Sequence, residues 1–263
     1  MNTSPSLTVV PSVRRIPNDI ATITDDDFSV PLAVRAARAI QRLQGYGAAV
    51  VRSNPASKVV PEEETEALVE AFVAAGLLVV GTPRRRIDEI RVDAPERSEV
   101  ATDLHTHQPF LRRPPWLQLL QCVRPADVGG DTALVDGLIA AQHLRGVDPE
   151  AHEILASTPV RFHRNPESLE TVLDAPVLSG RGPTFQIRLA HTRLVSHQLP
   201  FERREAWARA YERFARIVHD PSSQYRVTLG RGDFVIYDNY RVLHARSAFR
   251  GARWVRGVDF NPA

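Results

Sequence analysis

The sequence predicts a mainly β protein with flanking helices, a sandwich or barrel formed by a single domain over residues 1–263. Three observations support this fold class. From Ile87 onward, short strand signals are broken by Pro and Gly, whereas helical patterns occupy the front of the chain and interrupt the strands only twice. A hydrophobic content of 43% suffices for one sizeable core. No repeat, low-complexity tract or long linker divides the chain.

The front of the chain has recognisable helix boundaries. Pro61 is of the type favoured at the first helical position, and the three Glu that follow it suit the positive end of a helix dipole. Gly76 marks the end of the same helix. The elements predicted here are an extended arm or edge strand (1–27), a helix (31–43), a strand (47–52), a helix (62–75) and a strand (77–80).

Strand signals dominate the rest of the chain. The predicted strands span 87–92, 104–110, 117–123, 133–136, 160–163, 184–189, 225–229, 234–238 and 254–260. Helices are predicted over 137–156 and 201–219. The second of these has one apolar face, because Trp207, Tyr211 and Phe214 recur at helical spacing.

The composition excludes several classes of function. The 33 basic and 31 acidic residues leave a net charge of only +2, which is no electrostatic footprint for nucleic acid. Cys122 is the only cysteine, so an internal disulfide is excluded and a reducing compartment is indicated. No stretch approaches the roughly 18 apolar residues of a membrane span, and the N-terminus lacks the apolar segment of a secretory signal. A cytoplasmic protein without membrane contact is therefore expected, while a homo-oligomer stays possible.

Two histidines separated by one residue are the first candidates for chemistry. His105 and His107 fall in a predicted strand, where side chains at i and i+2 point to the same face. Both imidazoles could converge on a divalent transition metal, for which imidazole is a common neutral ligand. The pair alone is weak support, because such pairs also occur on surfaces by chance. His163, His191 and His197 could line a substrate pocket, although surface positions are the simpler interpretation.

Residues near the C-terminus strengthen the metal-site interpretation. A turn and strand over 232–239 end in a polar pair, and His244 and Arg253 follow. Together with two earlier segments, this block resembles the iron(II)- and 2-oxoglutarate-dependent oxygenases of the taurine dioxygenase superfamily, in particular its γ-butyrobetaine hydroxylase and clavaminate synthase-like branches. The matching segments are His-Thr-His-Gln-Pro-Phe at 105–110 with the strand after it, Gly-Gly-Asp-Thr at 129–132, and the run from Asp238-Asn239 through His244 and Arg246 to Arg253-Trp254-Val255-Arg256.

The resemblance implies a double-stranded β-helix, or jelly roll. It covers about residues 100–137 and 232–260 in order and spacing. The chain before residue 100 matches only in its order of elements, a helix, a strand and a helix. Residues 138–230 fit the family's variable insertion.

The resemblance also implies Fe(II) as cofactor, with 2-oxoglutarate and O2 as cosubstrates. His105 and His244 would bind the iron from strands remote in sequence. Arg253 would pair its planar guanidinium with the distal carboxylate of 2-oxoglutarate, and Thr132 would add a hydroxyl to that carboxylate. Arg256 is a tentative further site residue, because it lies one position short of the family's second arginine.

His107 departs from the family, which has a carboxylate, or in its halogenating members a small residue, at this place. Three interpretations stay open: His107 completes a three-histidine iron site, it swings aside and leaves its place to water or another ligand, or the site has lost iron chemistry. With three neutral ligands, Fe(II) and the 2-oxoglutarate dianion are formally neutral together, whereas the usual carboxylate gives −1.

The implied reaction is oxidative decarboxylation of 2-oxoglutarate coupled to oxidation of a small amino-acid-like or carboxylate substrate. Hydroxylation is the default outcome, with desaturation or rearrangement as alternatives. Two rival functions are a three-histidine iron dioxygenase that needs no 2-oxoglutarate and a non-catalytic binding protein on the same fold. Arg253 and Thr132 count against the first rival.

Overall fold

Strands make up most of the regular structure and helices flank them, which confirms the predicted mainly β class. The computed structural model describes residues 22–23, 31–53, 60–80, 87–93, 98–165, 168–190, 194–195 and 199–263. The helices are α1 (Leu32–Tyr46), α2 (Pro61–Ala74), α3 (Gly137–Val147), α4 (Pro149–Ser157) and α5 (Phe201–His219). Over these described ranges, no helix is both long and apolar enough to cross a membrane.

Most of the described strands are short. They are β1 (Thr22–Ile23), β2 (Ala48–Val51), β3 (Leu77–Val79), β4 (Asp88–Val92), β5 (Ser98–Glu99), β6 (Thr102–His105), β7 (Leu117–Arg124), β8 (Val128–Gly129), β9 (Thr132–Asp136), β10 (Val160–Asn165), β11 (Ser168–Ala175), β12 (Leu178–Ser179), β13 (Gln186–Ile187), β14 (Leu194–Val195), β15 (Tyr225–Val227), β16 (Phe234–Asp238), β17 (Val242–Arg246), β18 (Phe249–Arg250) and β19 (Arg253–Pro262). The longest are β7, β11 and β19, with eight, eight and ten residues. The long strands β7 and β19 pair antiparallel along most of their length.

A seven-stranded sheet forms one layer of the fold. Its order is β1-β2-β16-β7-β19-β3, and β4 pairs with the first half of β19, Arg253 to Gly257. Alternate residues of its strands point to opposite faces, so Val51, Leu119 and Phe260 face α1 and α2 and are buried with Phe72 of α2. We call this helix-covered side the outer face of the large sheet.

The opposite, inner face of the large sheet packs against a second sheet of four strands, β15-β9-β17-β6. One buried cluster joins the two layers: Cys122 and Tyr237 come from the large sheet, and Leu134 and Val242 come from the small one. Helices α3, α4 and α5 cover the far side of the small sheet, where Leu243 of β17 is buried among them. The inner faces of the two sheets therefore face each other, and the inward-pointing side chains of β17 and β19 lie between them.

The predicted elements agree with the structure where the sequence signal is local. The strand 234–238 and the helix 201–219 have the predicted bounds. The single helix predicted over 137–156 is wrong, because Asp148 caps a new helix by accepting a hydrogen bond from Ala151 N (2.9 Å) and Pro149 occupies its first position.

Several predicted strands are shorter than expected. The strand predicted over 104–110 ends at His105, that over 184–189 contributes only Gln186–Ile187, and that over 225–229 ends at Val227. Of the predicted arm (1–27), only β1 is described, and it lies at the edge of the large sheet, parallel to β2. His191 and His197 lie outside the described residues.

Candidate active site

His105 and His244 face each other across neighbouring strands between the two sheets. They are direct partners in the antiparallel pairing of β6 and β17, so their side chains project to the same face. Their ring centroids are 4.1 Å apart, with the planes tilted by 45°. The structure thus brings together two of the three predicted metal ligands, from positions 139 residues apart in sequence.

The hydrogen bonding and burial of these two rings suit metal binding. His105 Nδ1 lies 2.8 Å from the carbonyl oxygen of Asp103, so the ring proton sits on Nδ1 and Nε2 carries the lone pair. His244 is only 8% exposed, and its buried Nδ1 has no hydrogen-bond partner within the described part of the chain. Burial, followed by the nearby His105 and His107, holds the pKa of His244 well below its usual value. The ring of His244 is therefore neutral, as a metal ligand must be.

His107 does not lie in the strand with His105, so the premise of the i, i+2 argument is wrong. Strand β6 ends at His105, and Gln108 adopts a left-handed conformation with φ of 51°. Asn239, only 1% exposed, fixes the backbone of His107 on both sides. Its Oδ1 accepts from His107 N at 2.6 Å, and its Nδ2 donates to His107 O at 2.9 Å. The chain therefore turns at His107 under the control of a residue from the loop after β16.

The imidazole of His107 contacts a carboxylate that the sequence analysis did not single out. His107 Nε2 lies 3.1 Å from Asp259 Oδ2, and the side-chain amide nitrogen of Gln108 lies 3.0 Å from the same ring atom. In the described part of the chain, no three His, Cys, Asp or Glu side chains are gathered closely enough to hold a metal. A signal for Asp259 did exist, because it lies six residues after Arg253 on one strand and so shares its face.

Arg253 lies on the inner face of the large sheet, and no counter-ion for it is found among the described residues. Burial and then the charge of Arg246 lower its pKa, and no carboxylate of the described ranges forms an ion pair with it. The guanidinium carbon lies 5.5 Å from the centre of the Phe249 ring. A partly buried guanidinium of this kind is suited to receive the carboxylate of a ligand.

The Gly-Gly-Asp-Thr segment packs against Arg253 and explains why two glycines are needed. Gly130 has φ of 81°, and a Cβ there would lie 3.2 Å from Arg253 Nε. At Gly129, with φ of 74°, a Cβ would lie 2.2 Å from the carbonyl oxygen of Ala248. Thr132, two residues further on, is buried at the start of β9. The segment that packs against Arg253 therefore also carries Thr132, the other residue predicted to bind 2-oxoglutarate.

The side chain of Arg256 does not point between the two sheets. It lies three residues after Arg253 on the same strand, and an odd separation places the two side chains on opposite faces. Arg256 Nε donates to Glu89 Oε1 at 2.8 Å, and its Nη1 donates to the carbonyl oxygen of Glu62 at 2.8 Å. These contacts tie β19 to β4 and to the start of α2 on the outer face.

The two-sheet fold and the paired histidines agree with the oxygenase family that the sequence resembles. Sequence comparison supports the same family. Residues 12–258 match the family described as "Taurine catabolism dioxygenase TauD, TfdA family", and the chain belongs to this family. The family predicted from the three segments is therefore confirmed.

Individual relatives include two curated dioxygenases. The gamma-butyrobetaine dioxygenase of Pseudomonas sp. (strain AK-1) is 35% identical over 148 residues, which cover 56% of this chain and 39% of that protein. The mitochondrial trimethyllysine dioxygenase of Bos taurus is 26% identical over 230 residues, which cover 83% of this chain and 53% of that protein. The chain thus matches about two fifths to one half of the length of these relatives.

Solved structures share the fold at low sequence identity. PvcB from Pseudomonas aeruginosa superposes with a TM-score of 0.67 at 20% identity, covering 90% of this chain and 84% of that one. The non-heme iron oxygenase OrfP, solved in complex with Fe and alpha-ketoglutaric acid, gives a TM-score of 0.62 at 20% identity, with 89% and 85% covered. These likenesses show that the chain has the fold of such oxygenases.

Proposed function

We propose that this chain is an Fe(II)- and 2-oxoglutarate-dependent oxygenase that couples oxidative decarboxylation of 2-oxoglutarate to oxidation of a small substrate. The observation that carries the proposal is the face-to-face pairing of His105 and His244 between the sheets. The two facing sheets would form a jelly roll in a single domain over residues 1–263, with residues 138–230 as an insertion.

The two paired imidazoles fit a divalent iron. His105 presents Nε2 as its lone-pair nitrogen, and His244 carries a buried ring nitrogen without a partner, which needs either a proton acceptor or a ligand to satisfy it. His105 and His244 would hold Fe(II), and His107 is the proposed third ligand, whose ring would move toward the pair on metal binding because the three side chains are not gathered around one point in the structure. Bound Fe(II) supplies the one-electron chemistry through which O2 can react with an organic substrate.

Arg253 and Thr132 would bind 2-oxoglutarate. The planar guanidinium of Arg253 can donate two parallel hydrogen bonds to the distal carboxylate, and it keeps its charge throughout because an arginine does not deprotonate. Phe249 and Gly130 pack along the Arg253 side chain and limit its freedom to rotate. The hydroxyl of Thr132 would donate to the same carboxylate. The partial burial of Arg253 would strengthen this ion pair relative to one in open solvent.

The substrate would be a small amino-acid-like or carboxylate compound. The relatives named above act, by their names, on gamma-butyrobetaine and trimethyllysine, both small charged molecules of this kind. A net charge of +2 without a basic patch in the sequence favours a small molecule over nucleic acid as partner. A cytoplasmic location stays part of the proposal.

The test is a single-turnover assay with the metal-loaded protein. We expect Fe(II) and 2-oxoglutarate together, without oxygen, to give the visible charge-transfer absorption of a 2-oxo acid chelate, and O2 then to yield succinate and CO2. His105→Ala and His244→Ala should abolish both signals. Iron-dependent O2 consumption without any need for 2-oxoglutarate would favour the rival three-histidine dioxygenase. No iron binding in the folded wild-type protein would favour the non-catalytic alternative.

A further inference from the structure

Asp259 is a buried carboxylate that is only half satisfied. Its side chain is 9% exposed, and Oδ2 receives both of its polar contacts, from His107 Nε2 at 3.1 Å and from the Gln108 side-chain nitrogen at 3.4 Å. Oδ1 is buried and has no hydrogen-bond partner among the described residues. An unsatisfied buried oxygen costs free energy, so its retention calls for a reason beyond packing.

Asp259 stands in a row of polar residues that reaches the paired histidines. On the inner face of the large sheet, Tyr237, Gln118 and Asp259 are register partners on the adjacent strands β16, β7 and β19. The Tyr237 hydroxyl donates to Gln118 Oε1. The ring of Tyr237 packs on His244, with centroids 4.9 Å apart. Asp259 and His107 therefore lie at the same side of the inner space as the candidate iron ligands.

The contact with Asp259 determines which ring nitrogen of His107 keeps a lone pair for a metal. An ionised carboxylate can only accept, so its 3.1 Å contact requires the ring proton on Nε2 and leaves the lone pair on Nδ1. With the ring proton on Nε2, the Gln108 amide nitrogen donates to Asp259 Oδ2, at 3.4 Å, and not to the ring. Nδ1 is as many bonds from the backbone as a carboxylate oxygen of an aspartate would be. Because Asn239 fixes the backbone of His107, the origin of the side chain is fixed too.

We propose that His107 and Asp259 form a carboxylate–histidine pair in which Asp259 holds His107 as an Nδ1 metal ligand. Asp259 is then a positioning residue: it accepts the Nε2 proton, orients the ring and makes Nδ1 more basic. The inference rests on the proposed function, because it assumes that His105 and His244 bind the metal. The proposal adds Asp259 to the three histidines, from the strand β19, which carries no metal ligand. It also specifies the nitrogen through which His107 would bind the metal.

The first experiment measures Co(II) affinity by the visible absorption of the bound ion in the full-length protein. Asp259→Asn keeps the shape of the side chain and removes its charge, and we expect about 10- to 100-fold weaker binding. Glu89→Gln is the matched control, because it removes a carboxylate from β4 that serves Arg256 on the outer face. We expect unchanged affinity in the control. Equal affinity in Asp259→Asn and wild type would overturn the proposal.

A double-mutant cycle separates positioning from direct ligation and from a structural role. If Asp259 acts only through His107, Asp259→Asn should cause no further loss in a His107→Ala background. In a His107→Asp background the ligand needs no proton acceptor, so Asp259→Asn should leave affinity unchanged or raise it by removing a like charge. Additive losses in either background would overturn the proposal, since a direct ligand or a structural residue gives that result.

The same measurements distinguish failure of the inference from failure of the proposed function. Circular dichroism and thermal unfolding first confirm that each variant is folded. Loss of Co(II) binding in His105→Ala, together with full additivity at His107 and Asp259, rejects only the pair. Co(II) affinity that is unaffected by His105→Ala rejects the metal site itself, and the pair with it.

Discussion

Replacing Arg253 by methionine removes the guanidinium but keeps most of the apolar stem that packs near Phe249 and Gly130. The fold should tolerate this change, because no described carboxylate loses an ion pair and the like charge of Arg246 loses a buried neighbour. We expect the free energy of unfolding to change by less than about 1 kcal/mol.

Binding of 2-oxoglutarate should respond very differently. With Arg253 absent, the distal carboxylate of the ligand would be buried without its counter-ion, a loss that costs about 3–5 kcal/mol. At about 1.4 kcal/mol for each factor of ten, affinity should fall by about two orders of magnitude or more. Ligand binding and stability should therefore separate cleanly in this one variant.

The assay is anaerobic titration of the Fe(II) protein with 2-oxoglutarate, followed by the charge-transfer absorption. Urea unfolding of the same samples supplies the stability measurement. Arg256→Met is the matched control, because it removes an arginine three residues away on the outer face, where Glu89 and Glu62 are its partners. The control should bind 2-oxoglutarate normally. Equal losses in both variants, or normal affinity in Arg253→Met, would refute the assignment of the anchor.

Three further predictions concern the scaffold around the site. Arg241→Met should lower the free energy of unfolding by about 3 kcal/mol in urea titrations, because the buried Asp136 loses its partner 2.6 Å away; a loss below about 1 kcal/mol would contradict this. Asn239→Ala should cost at least about 2 kcal/mol by the same measurement, since both backbone groups of His107 lose their partner. Burial raises the pKa of Cys122 to about 11, so the native protein should react with a thiol reagent at pH 8 far more slowly than the protein in urea, and equal rates would contradict the burial.

Local sequence signals were sufficient for the elements whose boundaries depend on nearby residues. The helix Phe201–His219 follows from an apolar stripe of helical period, and Phe234–Asp238 follows from a buried run after a turn. The family segments likewise pointed to His105 and His244 as candidate metal ligands, and each of the two lies on a strand. Their contact across β6 and β17 depends on topology, which only the resemblance could supply.

The conformation around His107 could not be read from its neighbours. Three apolar or β-favouring residues in 104–110 suggested a continuing strand, but Gln108 turns the chain and Asn239 holds it from 132 residues away. The outward direction of Arg256, by contrast, was available from the sequence. Positions 253 and 256 on one strand differ by an odd number, so they cannot serve the same face.

Asp259 also changes the charge balance of the candidate site, and this leads to a measurement of its own. Three imidazoles, Fe(II) and the 2-oxoglutarate dianion sum to zero, whereas a direct carboxylate ligand would give −1. A carboxylate hydrogen-bonded to His107 restores that negative charge one group further from the iron, and it increases electron donation through the ring. Asp259→Asn should therefore raise the Fe(III)/Fe(II) reduction potential, because the negative charge that stabilises Fe(III) relative to Fe(II) is removed. Redox titration of the iron-loaded protein measures this shift, with Glu89→Gln as the control that should not move it. A potential that stays the same in Asp259→Asn would mean that the carboxylate of Asp259 does not act on the iron through His107.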